Sequence, residues 1–134
     1  MERRILSLLI GIAFVAVLAA TGAWAGSPHF TSCSAIPSGN TLSVDGKEAG
    51  LGDESQIDIV VTATALCINN GGNHPKAVNK TNVSGGEQVP VQNGKAIFSI
   101  DVTATFTPEC SPPMTVEFVD ITVTDTTNGI SCTL

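Results

Sequence analysis

The chain has no tyrosine, and its one tryptophan, Trp24, falls in an N-terminal stretch that reads as a leader. Phe14 lies in the same stretch, so the rest of the protein has only Phe30, Phe98, Phe106 and Phe118. Arginine is confined to Arg3 and Arg4. Sugar-binding surfaces that stack rings on Trp or Tyr, and protein interfaces anchored by Trp, Tyr or Arg, cannot be built from this inventory. Four scattered lysines, Lys47, Lys76, Lys80 and Lys95, stand against eleven acids beyond the leader, a net charge of about −7. Such a balance gives no electrostatic footprint for nucleic acid or an anionic membrane, and both partners are excluded. Also missing are sustained helical periodicity, internal repeats and any G-x-S-x-G nucleophile motif.

The leader begins with Glu2, Arg3 and Arg4, continues as an apolar run from Ile5 to Ala20, and closes on Ala23-Trp24-Ala25. A charged start, a run shorter than a membrane span and a small-x-small site together predict a signal peptide over residues 1–25, cut after Ala25. Residues 26–134 then form one secreted domain of ordinary size. No cysteine closely follows the apolar run, so no lipid anchor is expected and the mature chain should be soluble.

All four cysteines, Cys33, Cys67, Cys110 and Cys132, lie beyond the leader. In an exported chain they predict two disulfides, for which three pairings exist. We favour Cys67 with Cys110, because each flanks a strongly patterned strand, leaving Cys33 with Cys132 to tie the chain ends. None of these spacings suits a zinc site.

Period-2 alternation dominates the rest. From Gln56 to Cys67, Ile57, Ile59, Val61, Ala63, Ala65 and Cys67 share one face, with Gln56, Asp58, Thr62 and Thr64 on the other. This is a half-buried strand. Lys95 to Phe106 alternates as cleanly, and Thr115 to Asp125 does so after a phase change that predicts a β-bulge near Phe118 and Val119. Shorter strands are expected over Gly26 to Ile36, Thr41 to Val44, Val89 to Val91 and Ile130 to Leu134. Asp45-Gly46 reads as a hairpin turn, and Lys47 to Ser55 as a loop with one helical turn at Lys47-Glu48-Ala49. Ile68 to Val91, rich in Asn, Gly and Pro, reads as a long irregular segment, and Thr107 to Met114 as a proline-stiffened connection. The whole predicts an all-β protein, an antiparallel immunoglobulin-like β-sandwich with two disulfides.

Long structureless connections in compact domains are more often functional than neutral, so the first candidate surface is the irregular segment with Asn69, Asn70, Asn73, His74 and Asn79. Asparagine both donates and accepts, and glycine exposes backbone for close approach, a combination suited to a glycan or an extended peptide. Asn79-Lys80-Thr81 and Asn82-Val83-Ser84 are adjacent sequons, so Asn79 and Asn82 are glycosylation sites if the source is eukaryotic. The acids at Asp53-Glu54 and from Asp120 to Asp125 read as solubilising surface. The EF-hand pattern is absent, because Lys47 follows Asp45-Gly46 where a ligand should stand. No metal site and no cofactor are expected.

EAGLG at Glu48 to Gly52, CINNGGNHPKAVNK at Cys67 to Lys80, the proline-flanked Cys110 and DTTNG at Asp125 to Gly129 together resemble a group of small secreted hypothetical proteins. The resemblance implies an exported β-rich domain and carries no activity over to this chain. The expectation is therefore a non-catalytic protein that binds an extracellular glycan or protein, or serves as a structural component. An extracellular protease inhibitor using the region around Cys110 is the alternative, and a hydrolase relying on His74 a weaker one.

Overall fold

The computed structural model describes residues 27–69 and 79–134. Seven strands follow one another: β1 (His29–Ser38), β2 (Thr41–Ala49), β3 (Gln56–Ile68), β4 (Lys80–Pro90), β5 (Ala96–Thr103), β6 (Thr115–Asp125) and β7 (Ile130–Thr133). They make two antiparallel sheets, one ordered β1-β2-β5 and the other β4-β3-β6-β7. Between the sheets lies a single apolar core, as in a sandwich. Among the described residues no helix is long and apolar enough to cross a membrane.

β3 is the spine of the larger sheet, paired along its length with β4 on one side and β6 on the other. Its alternating set, Ile57, Ile59, Val61, Ala63, Ala65 and Cys67, is buried as the sequence predicts. Facing it from the smaller sheet are Leu42 and Val44 of β2 and Ala96, Phe98, Ile100 and Val102 of β5. Both expected disulfides are present. Cys67–Cys110 ties the end of β3 to the β5–β6 connection, with Cα atoms 5.9 Å apart, and Cys33–Cys132 joins β1 to β7 across the sheets. The sandwich thus has two distinguishable ends. One holds Cys110 with the β1–β2 turn, where Asn40 O accepts from Ala104 N–H, and the other holds Asp125 with the Leu51–Glu54 turn.

Four local expectations are corrected. Asp45-Gly46 is not a hairpin turn and Lys47-Glu48-Ala49 is not helical, for β2 runs straight through both. Gly46 pairs with Phe98, and a Cβ at residue 46 would enter the Phe98 ring. The glycine is there for packing space rather than for turning. The segment from Ile68 to Val91 is not irregular throughout, because its second half, Lys80–Pro90, is the eleven-residue strand β4. In β4 the inward positions fall on Val83, Gly85 and Val89, and a Cβ on Gly85 would lie 2.9 Å from Val102 Cγ1, so here too glycine answers a close neighbour. The bulge in β6 sits slightly later than expected: pairing steps from Thr62↔Thr122 to Thr64↔Val119, and Asp120 takes up the extra residue at φ 52°.

Gly46→Ala should destabilise the fold by about 1–3 kcal/mol through overpacking against Phe98. Urea denaturation would show a lower midpoint at unchanged slope, and co-substitution Phe98→Leu should recover part of the loss.

Candidate functional site

Asn69 is exposed where β3 ends, while Asn70, Asn73 and His74 lie outside the described residues, as does the leader. Asn79, half-buried, immediately precedes β4. Beyond it β4 starts with Lys80, Thr81 and Asn82, and the pairing of Leu66 with Lys80 brings this start alongside the Cys110 end of β3. Across from it runs the chain from Thr105 to Glu109, held in place by the Cys67–Cys110 disulfide. Between the two lies a cleft of about 340 Å³, walled by Asn79, Lys80 and Thr81 on one side and by Thr105, Phe106, Thr107, Pro108 and Glu109 on the other, with Cys67 and Met114 at its base. Asn79, the last residue of the Asn-rich segment, and the neighbourhood of Cys110 therefore meet in one cleft.

A shallower groove of about 570 Å³ continues over the outer face of the larger sheet, lined by Thr64, Leu66, Lys80, Thr81, Asn82, Val119 and Asp120. Lys80 and Thr81 border both hollows. On this face Thr64 Oγ1 donates to Asn82 Oδ1 at 3.3 Å, which orients the Asn82 amide. Of the two sequon asparagines, Asn82 is exposed and Asn79 is half-buried at the rim of the cleft. The lining offers hydroxyls, amides, one ammonium and one carboxylate at each hollow, which suits hydrogen bonding to a polar chain. His29 is exposed, and its Nδ1 lies 2.9 Å from Ser27 O, remote from the cleft.

At the other end stands a group that the sequence reading assigned to the surface. Asp125 is fully buried, and Glu48, opposite it on the smaller sheet, is 1% exposed. Asp125 is well provided with donors: its Oδ1 accepts from Thr127 N–H at 2.9 Å and Asn128 N–H at 3.1 Å, and its Oδ2 from Asn128 Nδ2 at 2.7 Å. Asn128 Nδ2 also donates to Glu54 Oε1 at 3.3 Å, and Gly129 N–H to Asp125 O at 2.8 Å. Glu48 has no such support, since neither carboxyl oxygen meets a donor. Burial, then the hydrogen bond with Asp125, then the charges of Asp125 and Glu54 push its pKa from 4.5 up to about 8. At neutral pH Glu48 is therefore mainly a neutral carboxylic acid, buried beside Asp125 between the sheets. A periodic signal for the pair existed: Glu48 continues the inward series Leu42, Val44, Gly46, and Asp125 continues Ile121, Val123.

Among the described residues no group of three or more His, Cys, Asp or Glu side chains is disposed to hold a metal ion. The buried Glu48 has a proton to exchange. Because the folded pKa exceeds the unfolded one, the contribution of Glu48 to stability is fully present below about pH 4.5 and is lost as pH rises through about 8. Stability should fall across that window with a slope of at most about 1.4 kcal/mol per pH unit. Chemical denaturation at successive pH values checks this, and Glu48→Gln, which keeps a donor without a titrating proton, should flatten the profile. Comparison with protein-family models, with curated proteins and with solved structures returned no match.

Proposed function

We propose that this is a secreted, non-catalytic binding or structural domain that takes a glycan or a similarly hydroxyl-rich chain along the start of β4. The observation that carries this reading is that Lys80 and Thr81 border both the cleft at the Cys110 end and the outer groove, giving one continuous polar track. Hydroxyl and amide groups set on rigid strands and a disulfide lose little freedom when a ligand arrives, which suits recognition by hydrogen bonds without aromatic stacking. Export is supported by the leader-like N-terminus and by two disulfides, which persist in oxidising compartments. The order β1-β2-β5 facing β4-β3-β6-β7 supports an immunoglobulin-like reading of the sandwich. Membership of the group of small secreted proteins that the sequence resembles belongs to the same proposal.

A second reading has its own observation. Thr107, Pro108 and Glu109 are exposed directly before the disulfide-anchored Cys110, the arrangement of a stiff loop offered to a protease. Inhibition of common extracellular proteases, abolished by Pro108→Gly/Glu109→Ala, would favour this reading over the glycan.

Oxidised mature protein should bind selectively on an array of glycans and cell-wall polymers, and Lys80→Ala/Thr81→Ala should weaken that binding by about tenfold or more, the loss of about 1.4 kcal/mol. Chelator should leave it unchanged. Silence across the array, or binding indifferent to the double substitution, removes the glycan reading.

A further inference from the structure

The sandwich closes differently along its two sides. Where β4 meets β5, the sheets pack so tightly that Gly85 has no room for a Cβ beside Val102. On the opposite side β1 faces β7, but β7 has only four residues and pairs with β6 over Thr122 to Asp125 alone. Its line ends where Leu134 N–H donates to Ile121 O at 2.9 Å. Among the described residues Thr115 to Asp120 therefore has β3 on one side and no strand on the other, because β1 approaches without sharing a ladder.

The core is thinnest here. Inward residues of β2, β3 and β5 are buried, whereas Ala35 of β1 and Val116, Phe118 and Ile121 of β6 are only half-buried. Leu134, next in the inward series of Ile130 and Cys132, is 44% exposed. A hollow of about 410 Å³ opens beside this edge between Pro37 and Asn40 of the first hairpin and Pro112, Met114 and Val116. The charge is one-sided as well. β1, β6 and β7 contain no lysine or arginine, and Glu117 and Asp120 are exposed along the unpaired stretch. Exposed edges are ordinarily blunted by lysine or proline, and Thr115 to Asp120 contains neither.

We propose that the open edge of β6 from Thr115 to Asp120 receives an extended strand of a protein partner, antiparallel to β6 and in line with β7, in which apolar residues alternate with basic ones. The partner's backbone completes the ladder, its apolar side chains cover Ala35, Val116 and Phe118, and its basic side chains meet Glu117 and Asp120. The edge shares Val119 and Asp120 with the outer groove but neither Lys80 nor Thr81, so Lys80→Ala/Thr81→Ala and Glu117→Lys test the two proposals separately.

The probe is a labelled synthetic peptide of alternating Val and Lys, compared with one of alternating Val and Glu and with a Val-Lys peptide interrupted by proline. Fluorescence anisotropy should show binding of the first peptide only. Hydrogen exchange at saturation should slow in Thr115 to Asp120 by about tenfold or more, and Glu117→Lys, at an exposed position, should weaken binding about two- to fivefold. Equal binding of the proline-interrupted peptide, or no added protection in Thr115 to Asp120, would overturn the assignment. So would a concentration-dependent dimer that protects the same amides without peptide, since the occupant would then be a second copy.

Discussion

Alternation along β3 imposes the rest of the architecture. A strand with every second residue buried commits one face to the core, and a shift of one residue in either neighbour would turn that neighbour's apolar set outward. The pairings Ile57↔Val89 and Ala63↔Val83 with β4, and Val61↔Val123 with β6, keep apolar residues on the inner face over most of the strand. Where β6 falls out of phase, the bulge at Asp120 restores it, at the cost of a non-glycine residue with positive φ. The smaller sheet then supplies what the short aliphatic side chains of β3 cannot, namely the volume of Phe98, set over Gly46 and met edge-on by Phe30 at 6.3 Å.

The elements legible in the sequence were those where side-chain period and packing agree. β3 and β6 begin where expected, and both disulfides follow from cysteines placed beside patterned strands. Glycine misled. Asp45-Gly46 and Gly85-Gly86 have the chemistry of turns, yet each pair lies inside a strand, where side chains of β5 occupy the space a Cβ on Gly46 or Gly85 would need. That information belongs to the facing strand, at a distance no local window reaches. The same limit hid Glu48 and Asp125. Each continues an inward series in its own strand, but only the packing of one sheet on the other shows that the two carboxyl groups meet. For the candidate site, sequence located the start of β4 and the vicinity of Cys110 separately, and the disulfide explains why they share a cleft.

The two ends of the sandwich are held by opposite means. At one, the Cys67–Cys110 bond fixes the β5–β6 connection without reference to pH. At the other, Glu48, kept mainly protonated by its burial against Asp125, lies beside the tightly hydrogen-bonded Asp125–Gly129 turn. Buried carboxyl groups tend to cost stability compared with apolar side chains of similar volume. The end bearing the polar cleft is thus the covalently fixed one.

The Cys33–Cys132 bond spans 99 residues of sequence between the first and last strands. Tension transmitted through the chain on either side of these cysteines would run through a covalent link and load only the ladder residues outside it, His29 to Ser32 and Thr133. In a wall, fibre or surface layer, such a domain would behave as an inextensible rivet, keeping its fold under pull while the segments outside the clasp stretched.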